Sequence, residues 1–177
     1  MKKVASLAAA LAAVGVLAAC SSNDNSSPAV HSTSAPTSSM IAVTSAAVAP
    51  GSPSAVLAST PWETTSAKDA QGASVPLTDG NVKNYVGFAY FKTDGTFTMF
   101  NLDNTPKTHG DWSVSPDGKT RTIVAKNDAG QEQFRREVDI VTLTDKEFTY
   151  RVYPDAANKA VYYDIIHTPT THPEPTK

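Results

Sequence analysis

A single cysteine in 177 residues excludes a disulfide framework and any structural zinc site built from several thiolates, so the fold must stand on packing alone. Basic excess is also missing. Lys+Arg number 15 against 17 Asp+Glu, a formal charge of -2, and nothing in that balance recruits a nucleic acid. The chain has no Gly-x-Ser-x-Gly elbow, no Gly-rich phosphate loop, no His-Glu-x-x-His pair and no Cys-x-x-Cys pair. These absences point away from an enzyme and give no reason to expect a cofactor or a metal. The length suits one compact domain and is short for two.

What is present begins with an address. Lys2 and Lys3 precede an apolar run of 16 residues, Val4 to Ala19, interrupted only by Ser6 and ending in small residues. That is signal-peptide grammar, and the run is shorter than the roughly 20 residues a membrane-spanning helix needs. Leu17-Ala18-Ala19-Cys20 resembles the bacterial lipobox, in which the cysteine is acylated and becomes the new amino terminus. Residues 1–19 are therefore read as a lipoprotein signal peptide and Cys20 as the lipid attachment site, the membrane being a partner through that anchor. Several acyl chains on one residue exceed the two-signal threshold for stable anchoring. Position 21 is Ser and not Asp, which resembles lipoproteins forwarded to the outer membrane where a bacterium has two membranes. In a single-membrane bacterium the same anchor sits on the outer face of the plasma membrane.

Residues 20–60 read as the lipidated cysteine and a tether. Between 21 and 60, 29 of 40 residues are Ser, Thr, Ala, Pro or Gly, with no Lys, Arg, Trp, Tyr or Phe, so this stretch has little with which to build a core. As a flexible coil it would hold its ends about 35 Å apart. From Trp62 the composition changes to β grammar, with aromatic and β-branched residues at every second or third position. Strands are expected near 62–66, 85–92, 96–102, 110–114, 120–126, 133–143, 146–153 and 160–167. Asp94-Gly95, Asp117-Gly118, Asp128-Ala129-Gly130, Thr144-Asp145 and 154–158 supply the turns between them. Only the polar stretch 68–84 leaves room for a short helical turn, around 79–83. Eight meandering strands left open would expose two edges, and closure removes them. The expected fold is all-β, an eight-stranded antiparallel up-and-down barrel over 61–169, followed by a disordered tail at 170–177.

The motifs Gly87-Phe88-Ala89-Tyr90, Asp94-Gly95-Thr96-Phe97, Gly110-Asp111-Trp112-Ser113, Asp117-Gly118-Lys119-Thr120-Arg121, Phe148-Thr149-Tyr150-Arg151-Val152 and Asp164-Ile165-Ile166-His167-Thr168-Pro169 carry a family likeness. Together they resemble the bacterial secreted lipoproteins grouped as domain of unknown function 4822, over roughly Trp62 to Pro169. The resemblance implies a lipocalin-like barrel and an envelope location. It brings no catalytic residue. Trp62 follows Pro61 where the lipocalin signature has Gly-x-Trp, and no disulfide closes the barrel.

A barrel of eight strands is filled by its side chains or holds one small ligand. Alternation turns Phe134, Arg136 and Val138 to one face, and an interior Arg pairs with a carboxylate or an anionic ligand. Arg121 and Arg151 recur on neighbouring strands. Trp112 and Tyr150 have the apolar body and polar tip of pocket linings. Asp164 and His167, three apart on a strand, point to opposite faces, while Tyr163, Ile165 and His167 share one. The candidate ligand-binding residues are accordingly Trp112, Arg136, Tyr150 and His167. His109 and Asp111 share a face, but two ligands do not make a zinc site. His31 and His172 read as solvated, in the tether and the tail. The expected function is a non-enzymatic, lipid-anchored module outside the cytoplasm that binds a small apolar or amphipathic ligand. The alternative is an envelope structural or protein-interaction module with a side-chain-filled barrel. A hydrolase or metal-dependent enzyme using His109, Asp111 or His167 is a third reading.

Overall fold

The alternation of the sequence becomes strands in a computed structural model, which describes residues 48–176. The leader, Cys20, His31 and the tether as far as residue 47 lie outside the described residues. In chain order the elements are α1 (Pro53–Leu57), β1 (Trp62–Asp69), β2 (Ser74–Val75), a 3-10 turn (Lys83–Tyr85), β3 (Phe88–Phe91), β4 (Thr96–Phe100), β5 (Pro106–Val114), β6 (Thr120–Lys126), β7 (Glu132–Leu143), β8 (Phe148–Val152) and β9 (Tyr163–Pro169). The eight expected strands are all there; β2 is an extra, a short hairpin arm on the far end of β1.

Every strand from β3 to β9 is antiparallel to the next, and β1 pairs with β9 from Trp62↔Pro169 to Asp69↔Tyr163. With β1 also against β3, eight strands close into a barrel without a free edge. The β1–β3 seam is the weakest, only two residue pairs long. Thr64 extends it. Its backbone N–H donates to the Gly87 carbonyl at 3.0 Å, its hydroxyl lies 3.1 Å from the Tyr85 carbonyl, and the Gly87 N–H donates to that hydroxyl at 3.2 Å.

The turn chemistry is local and repeated. Asp94, Asp103 and Asp117 each accept the backbone N–H two residues on, at 2.8, 3.0 and 3.1 Å. These bonds stabilise the carboxylate form, and all three carboxyls titrate below their ordinary range, led in each case by a hydroxyl donor from Thr96, Thr105 or Ser115. Inside the barrel the tightest point is Gly110, paired with Phe97 and Ala125. Its φ is +152°, and a Cβ there would overlap the Val124 carbonyl oxygen. Gly110→Ala is therefore expected to destabilise the protein by about 3 kcal/mol or more, combining backbone strain with overpacking. Urea denaturation measures it, and a loss under about 1 kcal/mol would mean the two strands separate freely at this point.

Two boundaries differ from the sequence reading. The stretch read as the end of the tether contains α1, with Pro53 in its first turn and Ser52 as N-cap, accepting from the Ala55 N–H at 3.2 Å. Leu57 is fully buried, and its carbonyl accepts the Trp62 indole N–H at 2.8 Å. Pro53 lies against Gly118, so α1 caps the barrel end that carries the β5–β6 turn. The folded unit thus starts inside 20–60, because a buried leucine and a satisfied indole offset the ordering of a small-residue segment.

The tail is not loose either. Thr170 N–H donates to the Pro61 carbonyl at 3.0 Å, and His172 stacks on Phe88 with centroids 4.0 Å apart. The Tyr90 hydroxyl lies 2.9 Å from His172 Nδ1 and donates to the Pro173 carbonyl at 3.0 Å. Glu174 meets Lys92 at 3.2 Å and accepts from the Thr98 hydroxyl at 2.5 Å. Strand β3 is buried on both faces, and its outward Phe88 and Tyr90 form with Phe100 a second apolar cluster that the tail covers. His172 is half-buried in that cover and not a solvated side chain.

Candidate functional site

The barrel interior is packed at the α1 end and hollow at the other. Trp62, Phe91, Phe97, Trp112 and Phe148 fill the packed part edge to face, with Phe91–Trp112 centroids 5.2 Å apart and Trp62–Phe148 5.9 Å apart. Beyond them lies a cavity of ≈ 220 Å³, lined from β5, β6 and β7 by Lys107, Arg121, Ile123, Phe134 and Arg136 and from β8 and β9 by Phe148, Tyr150 and His167. Asn84, Tyr85 and Val86 border its mouth from the 3-10 turn.

Strand pairing explains why these side chains meet. Arg121 lies opposite Val138 and Arg136 opposite Ile123, so the two arginines are diagonal neighbours on adjacent inward-facing positions. Tyr150 lies opposite Ile165 and Phe148 opposite His167, which brings the phenol and the imidazole onto one wall. Their rings stack with centroids 5.2 Å apart.

Arg121 is 2% exposed. Its guanidinium carbon stands 4.6 Å from the Tyr150 ring centroid, 5.6 Å from Phe148 and 5.8 Å from Phe91, and the Tyr150 hydroxyl is hydrogen-bonded to it. Its Nε has no hydrogen-bond partner among the described residues. Burial lowers its pKa, but a guanidinium holds its proton under all ordinary conditions, so a positive charge is enclosed here. Arg136, half-buried, lies over the rings of Tyr85 at 5.1 Å and Phe134 at 5.3 Å. Lys107 donates from Nζ to the Val86 carbonyl at 2.6 Å, and burial, reinforced by Arg136, brings its pKa down to about 8. None of the residues lining the cavity is Asp or Glu.

His167 is 4% exposed. Its Nδ1 lies 3.1 Å from the Phe148 carbonyl, which can only accept, so Nδ1 carries the hydrogen. Burial, aided by the charges of Arg121 and Lys107, depresses its pKa to about 3. The same burial pushes the Tyr150 hydroxyl up, against the opposing pull of Arg121.

Of the residues picked from sequence, Arg136, Tyr150 and His167 come together at this cavity. Trp112 does not. It faces inward, but toward the packed end, and its indole N–H donates to the Lys92 carbonyl at 3.0 Å. Arg121 and Lys107 complete the site. Arg121 carries a sequence signal, since Arg121, Ile123 and Ala125 share one face of β6 while Thr120, Thr122 and Lys126 lie on the other, whereas Lys107 lies just before the run expected as a strand. Arg151 points outward and pairs with Asp164 through two bonds of 2.8 and 3.0 Å. His109 lies 3.8 Å from Asp128 and Asp111 pairs with Lys126, so those two are engaged separately on the outer wall. Among the described residues no three His, Cys, Asp or Glu side chains are grouped to hold a metal ion.

A second, open groove of ≈ 760 Å³ runs over the outer wall of β4 to β7, beside Val48 and Trp112. Its ionic side chains already have partners in Lys126–Asp111 and Arg135–Glu132. The barrel cavity is the site whose charges are unmet.

The model of the family described as a domain of unknown function (DUF4822) matches residues 54–176, and the chain belongs to that family. No curated protein matches the sequence. Among solved structures, the crystal structure of a lipocalin-like protein from Bacteroides uniformis is similar at 14% identity and a TM-score of 0.43, covering 63% of this chain and 96% of that one.

Proposed function

We propose that this family member is a lipid-anchored binding protein of the bacterial envelope, without enzymatic activity, whose barrel holds a small amphipathic molecule. The observation that carries the reading is the hollow end of the barrel, where Phe134, Phe148, Tyr85 and Met99 surround a few polar tips. That combination of apolar walls and sparse polar groups suits ligand orientation. At ≈ 220 Å³ the cavity is below the roughly 300–1,000 Å³ of pockets that enclose drug-sized molecules, which favours a compact ligand. The site is also poorly equipped for base catalysis: burial brings the pKa of His167 down to about 3, and no carboxylate lines the cavity beside it.

The anchor rests on Leu17-Ala18-Ala19-Cys20 and the Ser-rich tract behind it. Growth with an alkyne-tagged fatty acid is expected to label the wild-type protein and to leave Cys20→Ser unlabelled; equal labelling of the two would remove the anchor from the account. Occupancy of the barrel is tested by native mass spectrometry of residues 21–177, which retain everything that builds and seals the barrel. A reproducible mass excess that vanishes on denaturation is the expected result. A bare mass after gentle purification from the native host would shift the function to the outer surface and a protein partner.

A further inference from the structure

Given that reading of the cavity as a ligand site, we propose that its ligand is an amphipathic anion, with an oxyanion head seated between Arg121, Arg136 and Lys107 and a short apolar tail directed to the mouth.

The chain's four arginines divide cleanly. Arg135 and Arg151, on the outer wall, each have a carboxylate partner, at 3.1 and 2.8 Å. Among the described residues Arg121 and Arg136, facing the interior, have none, and the third interior cation, Lys107, has only a backbone carbonyl. Enclosing a charge without a counter-charge is among the costlier things a fold does, and the usual remedy is a carboxylate on the neighbouring strand. Here the interior neighbours of Arg121 are Val114 on β5 and Val138 on β7. Ring faces and one phenol hydroxyl satisfy part of the guanidinium and leave its Nε–H without an acceptor. A buried donor without an acceptor, on a residue that lines a cavity, marks where an acceptor from outside belongs.

The arrangement also fixes the orientation of that acceptor. Arg121 lies deep, while Arg136 is half-exposed beside Phe134, which is 40% exposed. A head seated at Arg121 would therefore have its tail directed outward, past Phe134 to the mouth. Guanidinium groups match the geometry of carboxylate and phosphate alike, so the shared chemistry is an oxyanion, free or at the end of a chain.

Titration calorimetry of residues 21–177 with hexanoate, hexyl phosphate, inorganic phosphate and hexanol tests this, on wild type, Arg121→Met, Arg136→Met and Lys107→Met. The expected result is binding of hexanoate or hexyl phosphate at least tenfold tighter than hexanol. Each substitution should lose at least tenfold on the anions and leave hexanol unchanged. Arg136 and Lys107 are half-buried, so their variants keep the test valid should Arg121→Met fail to fold. Inorganic phosphate binding as tightly as hexyl phosphate would retain the anion site and overturn the tail. Hexanol binding as tightly as hexanoate would overturn the anion while the small-molecule reading stands. No binding of any of the four would overturn both.

Discussion

Acidification from pH 7 to pH 4 is expected to cost the protein about 3 kcal/mol of stability through His167 alone, at roughly 1.4 kcal/mol per pH unit. In the unfolded chain this imidazole takes a proton as the pH falls through its ordinary value of 6.5; in the fold it does not until about pH 3. Between those limits the unfolded state binds more protons, so stability falls as pH falls, and above 6.5 the group contributes no slope. The cause is burial among Phe148 and Tyr150, reinforced by the positive charge of Arg121; hydrogen bonds to the Phe148 and Ile165 backbone oppose it, and Lys107 adds the smallest part. Urea denaturation at a series of pH values measures the slope. His167→Asn offers an amide N–H in place of Nδ1–H and cannot titrate, so its curve should be flatter than wild type by that amount. The turn carboxylates Asp94, Asp103 and Asp117 titrate alike in both proteins, so the difference between the two curves isolates His167. Equal slopes would show that His167 is charged inside the barrel.

Arg121→Met should make the empty protein more stable, by about 2 kcal/mol, while abolishing anion binding. Methionine fills the same shaft, needs no acceptor for Nε–H, and removes a charge that has no carboxylate within 4.0 Å among the described residues. Replacing buried ionic groups with apolar ones of similar volume has gained on the order of 1–4 kcal/mol elsewhere. The lost attraction between the guanidinium and the Tyr150, Phe148 and Phe91 rings, together with the Tyr150 hydroxyl left without this partner, offsets part of it, up to about 2 kcal/mol. Keeping a costly residue at the proposed binding site would trade stability for function. The check is the urea midpoint of the two proteins in ligand-free buffer. A midpoint lower in Arg121→Met would assign the arginine to the architecture of the core.

The strands and their turns were legible because both rest on local chemistry. Period-two alternation and Asp-Gly pairs require no knowledge of the rest of the chain, and the closure of β1 on β9 follows from the need to remove two edges. Alternation also turned Arg136, Tyr150 and His167 inward. It could not tell Trp112 from Tyr150, because it fixes the side of a strand and not the depth along the barrel. Depth is set by register: Trp112 falls beside Phe91 at the packed end and Tyr150 beside the cavity. Helix α1 and the tail strap were hidden for a different reason. Segments of small or Pro/Thr-rich composition carry no periodic signal, and they are ordered only because Leu57 and His172 meet partners distant in sequence. The apolar outward face of β3 was the one hint that something must cover it.

The proposed anion meets the hollow of this barrel at Arg121. The most direct measurement is the NMR signal of the Arg121 side-chain Nε–H, identified by its disappearance in Arg121→Met, followed as hexyl phosphate is added to residues 21–177. An Nε–H with no acceptor that gains an oxyanion must shift downfield and saturate with the same affinity that calorimetry reports. A signal that stays in place while the ligand binds would show that the anion, if held at all, is held somewhere else.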